Sequence, residues 1–333
     1  TKAELCKKIT DQTGCDMQTV SAIVESLMVS IKGSLEKEEN VYLRGFGSFI
    51  IKRRAEKTAR NISKNTTIII PAHNIPAFKS AKEFRPFMLS WGGTETYIAN
   101  SKIASFGYAN SKSYGVSISQ YTPNMAKVLK RPEPTGWIID SEFSDMWYGF
   151  YCYETTGFVI KGNTYKDNIV YGIDPHDRSH GLIIADNTVH GTKKKHGIIV
   201  SREVNDSWII NNKSYDNKLS GVVIDRNSEN NLIADNEIYR NHTDGITLYE
   251  SGDNLLWGNK VIANRRHGIR VRNSVNIKLY ENTSMANGLT GLYGHIKDLT
   301  DTDRDIALDP FDTKVSLIVV GGELAANGSG PLS

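Results

Sequence analysis

Residues 221–244 read GVVIDRNSENNLIADNEIYRNHTD, and residues 197–220 before them read GIIVSREVNDSWIINNKSYDNKLS. In both segments a glycine opens a short apolar run, and asparagines follow at matching distances. A spacing of 23 to 25 residues separates the whole series of such glycines: Gly149, Gly172, Gly197, Gly221, Gly245, Gly268 and Gly291. A period in the low twenties with short β-type runs and fixed turn residues is typical of a stacked solenoid. The sequence therefore predicts a parallel β-helix.

Two columns of asparagine accompany these glycines. The first contains Asn163, Asn187, Asn212, Asn236, Asn259 and Asn282, and the second contains Asn168, Asn217, Asn241, Asn264 and Asn287. Asparagine suits sharp turns, and stacked asparagines can satisfy one another as ladders. The glycines are expected at tight corners that need their backbone freedom. Both residue types are thus interpreted as structural, and function is expected where the repeat is interrupted.

Charge and cysteine content divide the chain and narrow its chemistry. Residues 1–85 carry 15 Lys and Arg against 9 Asp and Glu, a net charge of +6, whereas the remaining 25 and 28 give −3. The two segments are therefore expected to have different partners. The three cysteines match neither a disulfide framework nor a metal-ligand spacing. No apolar run approaches the roughly 18 residues of a membrane-spanning helix, and no signal peptide precedes Thr1, so we expect no membrane insertion.

The first 85 residues predict a small α+β domain. Residues 3–13 and 19–37 show helical patterns, the second with a wide apolar stripe. Thr19 is the expected N-cap of the second helix, and Gly14 is expected to end the first. From residue 40 to 52 the pattern changes to that of a strand.

A strongly basic stretch follows, with a single acidic residue, Glu56, among its cations. Cations on a β-ribbon neutralise phosphates, and an apolar residue at its tip can wedge between adjacent base pairs, as in minor-groove DNA binders. The segment closely resembles the bacterial HU and integration host factor family, of the Bacteroides HU type. The residues that carry the resemblance are Gly45-Phe46-Gly47-Ser48-Phe49, Arg60-Asn61 and Pro76-Ala77-Phe78.

This resemblance implies an intertwined homodimer, formed through residues 1–85, whose two β-arms bend double-stranded DNA. Ile62 stands where most members have an intercalating proline. The resemblance stops near Phe84, so the last helix of the family is expected to be truncated. The implied DNA-binding residues are Arg44, Lys52, Arg53, Arg54, Lys57, Arg60, Asn61, Ile62 and Lys64.

The repeats also place polar residues on one face of the predicted solenoid. Residues two to five after each glycine fall on one strand, and neighbouring coils are about 4.8 Å apart, so equivalent positions approach each other. Guanidinium groups pair well with carboxylates, so an elongated, basic groove for an anionic linear polymer is expected. The contributing residues are Asp174, His176, Asp177, Ser201, Arg202, Asp225, Arg226, Tyr249, Glu250, Arg270 and Arg272.

Asp174-Pro175-His176-Asp177 in this setting resembles the periplasmic mannuronan C5-epimerases of bacterial alginate synthesis, over residues 88–333. The resemblance implies a right-handed β-helix that converts mannuronate to guluronate within the polymer. Asp174, His176 and Asp177 are not expected to hold a metal, because calcium prefers oxygen ligands, and no cofactor is expected. The resemblance also implies that His176 abstracts the C5 proton and that Arg202 neutralises the adjacent carboxylate.

Further roles are expected for the residues around His176 and along the groove. Asp174 and Asp177 are expected to orient the imidazole and raise its pKa, which favours an alkaline working pH. Water or a tyrosine such as Tyr171 would return the proton. Substrate binding is assigned to Arg226, Arg265, Arg270 and Arg272. The remaining histidines are interpreted as turn or surface residues: His180, His190, His196, His242, His267 and His295.

Three alternatives remain open from the sequence. A polyuronate lyase removes the same C5 proton and then expels the C4 substituent. A noncatalytic polysaccharide-binding solenoid would use the groove without chemistry. If the shortened helix is inactive, the chain acts solely as an HU-like DNA-binding protein.

The predicted organisation is an HU-like domain over residues 1–85 and an all-β parallel β-helix over residues 86–333. The two resemblances point to different locations, the cytoplasmic nucleoid and the periplasm. We therefore interpret the chain as a fusion or composite.

Overall fold

A computed structural model describes residues 1–43, 47–61, 66–80, 85–110, 112–120, 132–297 and 310–332. The chain divides into two compact units, Thr1–Phe84 and Arg85–Ser333. None of the described helices is both long and apolar enough to cross a membrane.

The first unit begins with two helices, α1 (Lys2–Thr13) and α2 (Met17–Glu36). Gly14 ends α1 in a left-handed conformation, with φ of 73°, as predicted. The predicted N-cap Thr19 is wrong. Asp16 caps α2 instead, because its carboxylate accepts hydrogen bonds from the backbone N–H groups of Gln18 and Thr19, and the helix starts earlier than its apolar stripe.

The strands of the first unit are antiparallel. Val41–Leu43 and His73–Ser80 flank Gly47–Arg54 in a three-stranded sheet. A separate hairpin pairs Lys57–Asn61 with Thr66–Ile70, and it is the predicted β-ribbon. On α2, several apolar side chains are exposed: Ile23, Leu27, Met28 and Val29.

The second unit is a parallel β-helix with three sheets that run along its axis. Sheet 1 has ten strands: Met88–Trp91, Gly115–Ser119, Tyr148–Tyr153, Tyr171–His176, Ile198–Ser201, Val222–Asp225, Ile246–Tyr249, Ile269–Arg272, Thr290–His295 and Gly330–Leu332. Sheet 2 has nine: Glu95–Ala99, Thr135–Ile139, Val159–Lys161, Ile183–Ala185, Trp208–Ile210, Leu232–Ala234, Leu255–Trp257, Ile277–Tyr280 and Leu317–Val320. Sheet 3 also has nine: Lys102–Ala104, Glu142–Ser144, Thr164–Lys166, Thr188–His190, Lys213–Tyr215, Glu237–Tyr239, Lys260–Ile262, Thr283–Met285 and Glu323–Ala325.

The core of the β-helix is a stack of aliphatic and aromatic residues, one or two from each strand. Ile160, Ile184, Ile209 and Ile233 occupy equivalent inward positions on successive strands of sheet 2, and all are fully buried. Because each such strand has only three or four residues, its stability depends on the coils above and below it.

The asparagine columns form ladders, as predicted. The Nδ2 group of Asn236 donates to the Ile209 carbonyl oxygen at 2.8 Å and to Asn259 Oδ1 at 2.9 Å. Its Oδ1 accepts from the backbone and side-chain N–H groups of Asn212 at 2.9 and 3.0 Å. Each buried amide therefore bonds to the coils on both sides of it.

The repeating glycines are required for a different reason from the one predicted. Gly245 does not adopt a left-handed backbone conformation, so a turn does not explain it. A Cβ atom there would lie 2.2 Å from Val261 Cγ1 and 2.7 Å from the Gly268 carbonyl oxygen. The close approach of sheets 1 and 3 leaves no space for a side chain.

Candidate active site

The outer face of sheet 1 presents three rows of side chains. One row is formed by the residues immediately before the repeating glycines, and the other two by the residues two and four positions after them. In the second repeat these are Tyr171, Asp174 and His176. The strand register aligns Tyr153, His176, Ser201, Asp225, Tyr249, Arg272 and His295 in one row. A cavity of about 390 Å³ opens on this face and is lined by His176, Asp174 and Arg202, among others.

His176 is held by the residue that follows it. Its Nδ1 and Asp177 Oδ2 form a short hydrogen bond, and the His176 side chain is 23% exposed. Burial disfavours the imidazolium, but the bond to Asp177 and the charges of Asp174 and Asp177 outweigh it and raise the pKa of His176. Burial also acts on Asp177, yet the bond to His176 and nearby cations keep the pKa of its carboxyl low. The ionised Asp177 therefore fixes the Nδ1–H tautomer and leaves Nε2 as the basic nitrogen.

Asp174 lies beneath this pair and is 2% exposed. Burial raises its pKa to about 7, although His176, Lys195 and Arg202 oppose the shift. Its Oδ1 has no hydrogen-bond partner within the described residues. Asp174 is thus a polar group whose protonation changes near neutral pH, next to the imidazole.

Arg202 lies one position off the predicted alignment. The residue level with His176 on the next coil is Ser201, and Arg202 occupies the turn beyond it, with φ of 65°. Its Nη1 lies 3.7 Å from Asp177 Oδ1, and its side chain is about half exposed. The guanidinium group therefore borders the cavity with capacity to bind an anion in addition to Asp177.

The turn after sheet 1 is longer where these residues lie. Ile183 follows His176 by seven positions, whereas Leu255 follows the equivalent Tyr249 by six. The extra residue gives two consecutive left-handed residues in three successive coils: Asp177 and Arg178, Arg202 and Glu203, Arg226 and Asn227. Left-handed backbone in residues other than glycine is strained, and such strain is typical of functional sites.

Tyrosines surround His176 on the side of the preceding coil, and the sequence analysis assigned a role to Tyr171 alone. The Tyr151 ring lies 6.0 Å from the His176 ring, and the Tyr148 ring lies 5.0 Å from that of Tyr171. Burial raises the pKa values of Tyr148, Tyr151 and Tyr171, so all three phenols stay protonated. Tyr148 and Tyr151 have the same positions relative to Gly149 as Tyr171 and Asp174 have relative to Gly172, and that correspondence could have identified them.

The arginines of the later coils do not form the free basic groove that was predicted. Arg226 Nε lies 3.7 Å from Asp225 Oδ2. Arg270 Nη1 lies 3.4 Å from Asp244 Oδ2, and Arg272 Nη2 lies 2.9 Å from Glu250 Oε1. Because each cation has a carboxylate beside it, the groove is a mixed-charge surface. Arg226 and Arg272 line the cavity around His176. Arg265 lies in the turn before Ile269–Arg272 and not on the outer face of sheet 1.

Three histidines predicted as turn or surface residues lie on the outer face of sheet 1 instead: His196, His267 and His295. His295 ends the row of His176, and its Nε2 accepts a hydrogen bond from Arg270 Nε at 3.1 Å. His196 lies in the row of Tyr171, and burial lowers its pKa to about 4. His267 is buried, its Nδ1 lies 2.6 Å from Thr290 Oγ1, and its ring stacks on Tyr293. His196 and His267 immediately precede a repeating glycine, at a position that also faces outward and that was not included in the predicted face.

The predicted DNA-binding residues lie on the antiparallel strands of the first unit. Lys52, Arg53 and Arg54 form the exposed end of Gly47–Arg54, and the exposed Lys57 begins the hairpin. Arg60 and Asn61 are on the same hairpin strand. Arg44, Ile62 and Lys64 lie outside the described residues.

The described residues contain no group of three or more His, Cys, Asp or Glu side chains that could hold a metal ion.

Comparisons with known proteins separate the two units. Residues 1–88 match the family model of the bacterial DNA-binding protein, and residues 88–214 and 148–295 match that of the right handed beta helix region. Over 84 residues the chain is 36% identical to the DNA-binding protein HU of Clostridium pasteurianum, which covers 25% of this chain and 92% of that protein.

The β-helix is similar to mannuronan C5-epimerases. Identity is 93% over 261 residues to that of Pseudomonas fluorescens (78% of this chain, 49% of the relative), and 78% over 256 residues to that of Pseudomonas aeruginosa (77% and 47%). The crystal structure of the periplasmic alginate epimerase AlgG matches with 74% identity and a TM-score of 0.75, over 83% of this chain and 63% of that one. The chain spans about half the length of these curated relatives. Both predicted resemblances and the predicted right-handed β-helix are thus confirmed.

Proposed function

Because the chain belongs to the bacterial DNA-binding protein family over residues 1–88 and to the right-handed β-helix family over residues 88–295, we propose that it joins a DNA-binding module to a mannuronan C5-epimerase. The β-helix would convert β-D-mannuronate to α-L-guluronate within polymannuronate. The observation that carries this proposal is the pair His176 and Asp177, which leaves a basic Nε2 in a cavity bordered by Arg202.

In the proposed reaction, His176 Nε2 removes the proton from C5 of a mannuronate residue. The electron pair of the C–H bond moves into the adjacent carboxylate, which then carries a second negative charge. Arg202 borders the same cavity and would stabilise that charge, and a fixed donor in such a role contributes about 3–4 kcal/mol. Asp177 stabilises the imidazolium that forms, because its carboxylate accepts the Nδ1–H bond.

Inversion is completed when C5 receives a proton from the opposite face. Tyr171 lines the same cavity and has a phenol that burial keeps protonated, so it or a water molecule serves as the donor. Because a phenol or a water molecule exchanges its proton with the solvent, a reaction in D₂O would leave deuterium at C5. Arg226 and Arg272, which also line the cavity, would bind neighbouring carboxylates while paired with Asp225 and Glu250.

The test is proton NMR of polymannuronate incubated with the full chain in D₂O. Guluronate signals with deuterium at C5, absent for His176→Ala, are expected. Unsaturated chain ends would instead indicate a polyuronate lyase, and unchanged polymer would leave a noncatalytic polysaccharide-binding solenoid. As a matched control, His190→Ala changes a histidine that stacks on Tyr215 on sheet 3 and should retain full activity.

For the first unit we propose binding to double-stranded DNA through the basic strands. Lys52, Arg53, Arg54 and Lys57 are exposed and lie on adjoining strands. A homodimer would place two such ribbons on one duplex. An apolar cavity of about 660 Å³, lined by Met28, Ile31, Leu35, Phe49, Ile51 and Pro76 with several polar residues, supports a second copy as the missing cover.

The dimer and the DNA contact can be measured separately. Sedimentation of the chain with Met28→Glu should show a monomer, and a dimer that persists would contradict the proposed interface. Fluorescence anisotropy of a labelled duplex should show weaker binding for Lys52→Gln with Arg53→Gln, while the dimer remains.

The relative with a known structure is a periplasmic enzyme, so we propose the periplasm for the epimerase activity and the cytoplasmic nucleoid for the DNA-binding unit. These locations differ, which supports a composite origin. A single natural reading frame for the whole chain would contradict that origin.

A further inference from the structure

The outer face of sheet 2 is apolar along its whole length. Each of its nine strands contributes two outward positions, which the register aligns in two rows. One row contains Tyr97, Trp137, Val159, Ile183, Trp208, Leu232, Leu255, Lys278 and Ile318. The other contains Ala99, Ile139, Lys161, Ala185, Ile210, Ala234, Trp257, Tyr280 and Val320. Only Lys161 and Lys278 interrupt these rows, and both tryptophans Trp208 and Trp257 are 52% exposed.

Sheet 3 shows that this composition is not a requirement of the fold. Its row equivalent in geometry contains only charged or threonine side chains: Lys102, Glu142, Thr164, Thr188, Lys213, Glu237, Lys260, Thr283 and Glu323. The second outward row of sheet 3 is mixed, with Ser144, Lys166 and His190 followed by Tyr215, Tyr239, Ile262 and Met285. Sheet 3 therefore has one polar row, whereas both rows of sheet 2 are predominantly apolar. A large exposed apolar strip of this kind marks an interaction surface.

The dimensions of the strip suit a single α-helix. Nine strands at about 4.8 Å give a length of roughly 38 Å, and two rows of side chains give a width of about 10 Å. A helix has a diameter of about 10–12 Å and rises 1.5 Å per residue, so about 25 residues would cover the strip. The projected area of the strip is about 400 Å². This area suits one helix and is smaller than the roughly 800 Å² that each partner buries in a typical interface between globular proteins.

The borders of the strip are acidic. The turn that follows sheet 2 carries four exposed carboxylates: Asp140, Asp186, Asp235 and Glu281. The turn that precedes it carries two more, Asp206 and Asp253. The equivalent positions on the other coils are Asn or Gly after sheet 2, and Glu95, Thr135, Ser316, Asn or Gly before it. These described turn positions therefore include no lysine or arginine. Lys161 lies 3.5 Å from Asp186 and compensates some of this charge.

From these features we propose that sheet 2 binds an amphipathic α-helix of a partner protein, whose apolar stripe is flanked on both sides by lysine or arginine. Trp208 and Trp257 supply the large exposed side chains that such interfaces use as anchors. The acidic borders give the helix its orientation and select basic flanks. A second copy of this chain is a worse occupant, because two identical faces would bring six carboxylates against six.

The test uses the full chain and two synthetic 25-residue helical peptides with the same leucine and alanine stripe. One peptide has lysine on both flanks, and the other has glutamate at the same positions. Binding is followed by fluorescence anisotropy of the labelled peptides at low and high salt. We expect at least tenfold tighter binding of the lysine peptide, with the difference reduced by salt.

Two variants locate the binding. Trp208→Ala with Trp257→Ala should weaken binding of the lysine peptide at least tenfold, while circular dichroism remains unchanged because both residues are exposed. Tyr215→Ala with Tyr239→Ala, on sheet 3, is the matched control and should leave the affinity unaltered. Equal binding of both peptides, an unaffected tryptophan variant, or self-association that depends on Trp208 and Trp257 would each overturn the proposal.

Discussion

Replacement of Asp177 by asparagine tests whether this carboxylate sets the basicity of His176. Asparagine has nearly the same shape and accepts the left-handed conformation of residue 177, whose φ is 38°. The amide oxygen can still accept the Nδ1–H bond, but the negative charge is lost. The variant therefore separates charge from position.

The expected size of the effect follows from the bond that His176 makes with a charged partner. Hydrogen bonds to ionised groups contribute about 1.5–3 kcal/mol, and one pKa unit corresponds to about 1.36 kcal/mol. Loss of the charge should therefore lower the pKa of His176 by roughly one to two units. Asp174 remains in place and limits the fall, because its charge also raises that pKa.

The assay is the pH dependence of deuterium incorporation into polymannuronate. A general base must be neutral, so the rate of the native chain should fall as pH drops through the raised pKa of His176. In Asp177→Asn the acid limb should move to lower pH, and the plateau rate should fall because the imidazolium is less stabilised. Asp216→Asn, which removes a carboxylate paired with Arg240 on sheet 3, is the matched control. An acid limb at the same pH in native chain and variant would refute the reasoning.

Asn236→Ala should lower the free energy of unfolding by about 2–5 kcal/mol in urea titrations, because two buried N–H groups of Asn212 would lose the acceptor Oδ1 of Asn236. Asn236→Asp, which keeps an acceptor, is the comparison. Equal stability of the Ala variant and the native chain would contradict the role of the ladder. Asp174→Asn should flatten the pH dependence of stability between about 4 and 7. The pKa of the buried carboxyl rises from 3.8 to about 7 on folding, so the folded state holds the extra proton and stability is lost as pH rises through that window; thermal melts of native chain and variant that keep the same slope would speak against it. Lys52→Ala should reduce the slope of log K against log salt for duplex binding by about 1.8, as expected for one lost phosphate contact in each copy of the dimer. An unchanged slope would remove Lys52 from the interface.

The β-helix was predictable because its period is encoded directly in the chain. Each coil needs a glycine where sheets 1 and 3 approach, and an amide where the ladder passes, so both recur at intervals close to the coil length. The position of His176 was predictable for the same reason. His176 and Asp174 interrupt an otherwise apolar strand two positions apart, and alternation along that one strand suffices to place them on the same face.

Contacts between coils were less predictable, because a shift of a single position in the strand register changes which side chains meet. Ser201, and not Arg202, is level with His176, and Arg202 approaches Asp177 from the turn that follows the strand. The pairing of Arg270 with Asp244 joins residues 26 positions apart on different coils, and no local pattern reveals it. For α2, the apolar stripe indicated the helix but not its start, since the cap precedes the stripe by several residues.

The longer turns after sheet 1 have a consequence for how such a chain can change over time. An insertion within a strand would exchange its inner and outer residues and break the asparagine ladder, so it would be eliminated. The turn after sheet 1 accepts one more residue without disturbing either column, and three successive coils have done so. Those coils are also the ones that place Asp177, Arg202 and Arg226 beside the cavity. The chain can therefore be lengthened at this corner without loss of the stack, and the same change after Tyr249 would be a direct way to extend the groove by another coil.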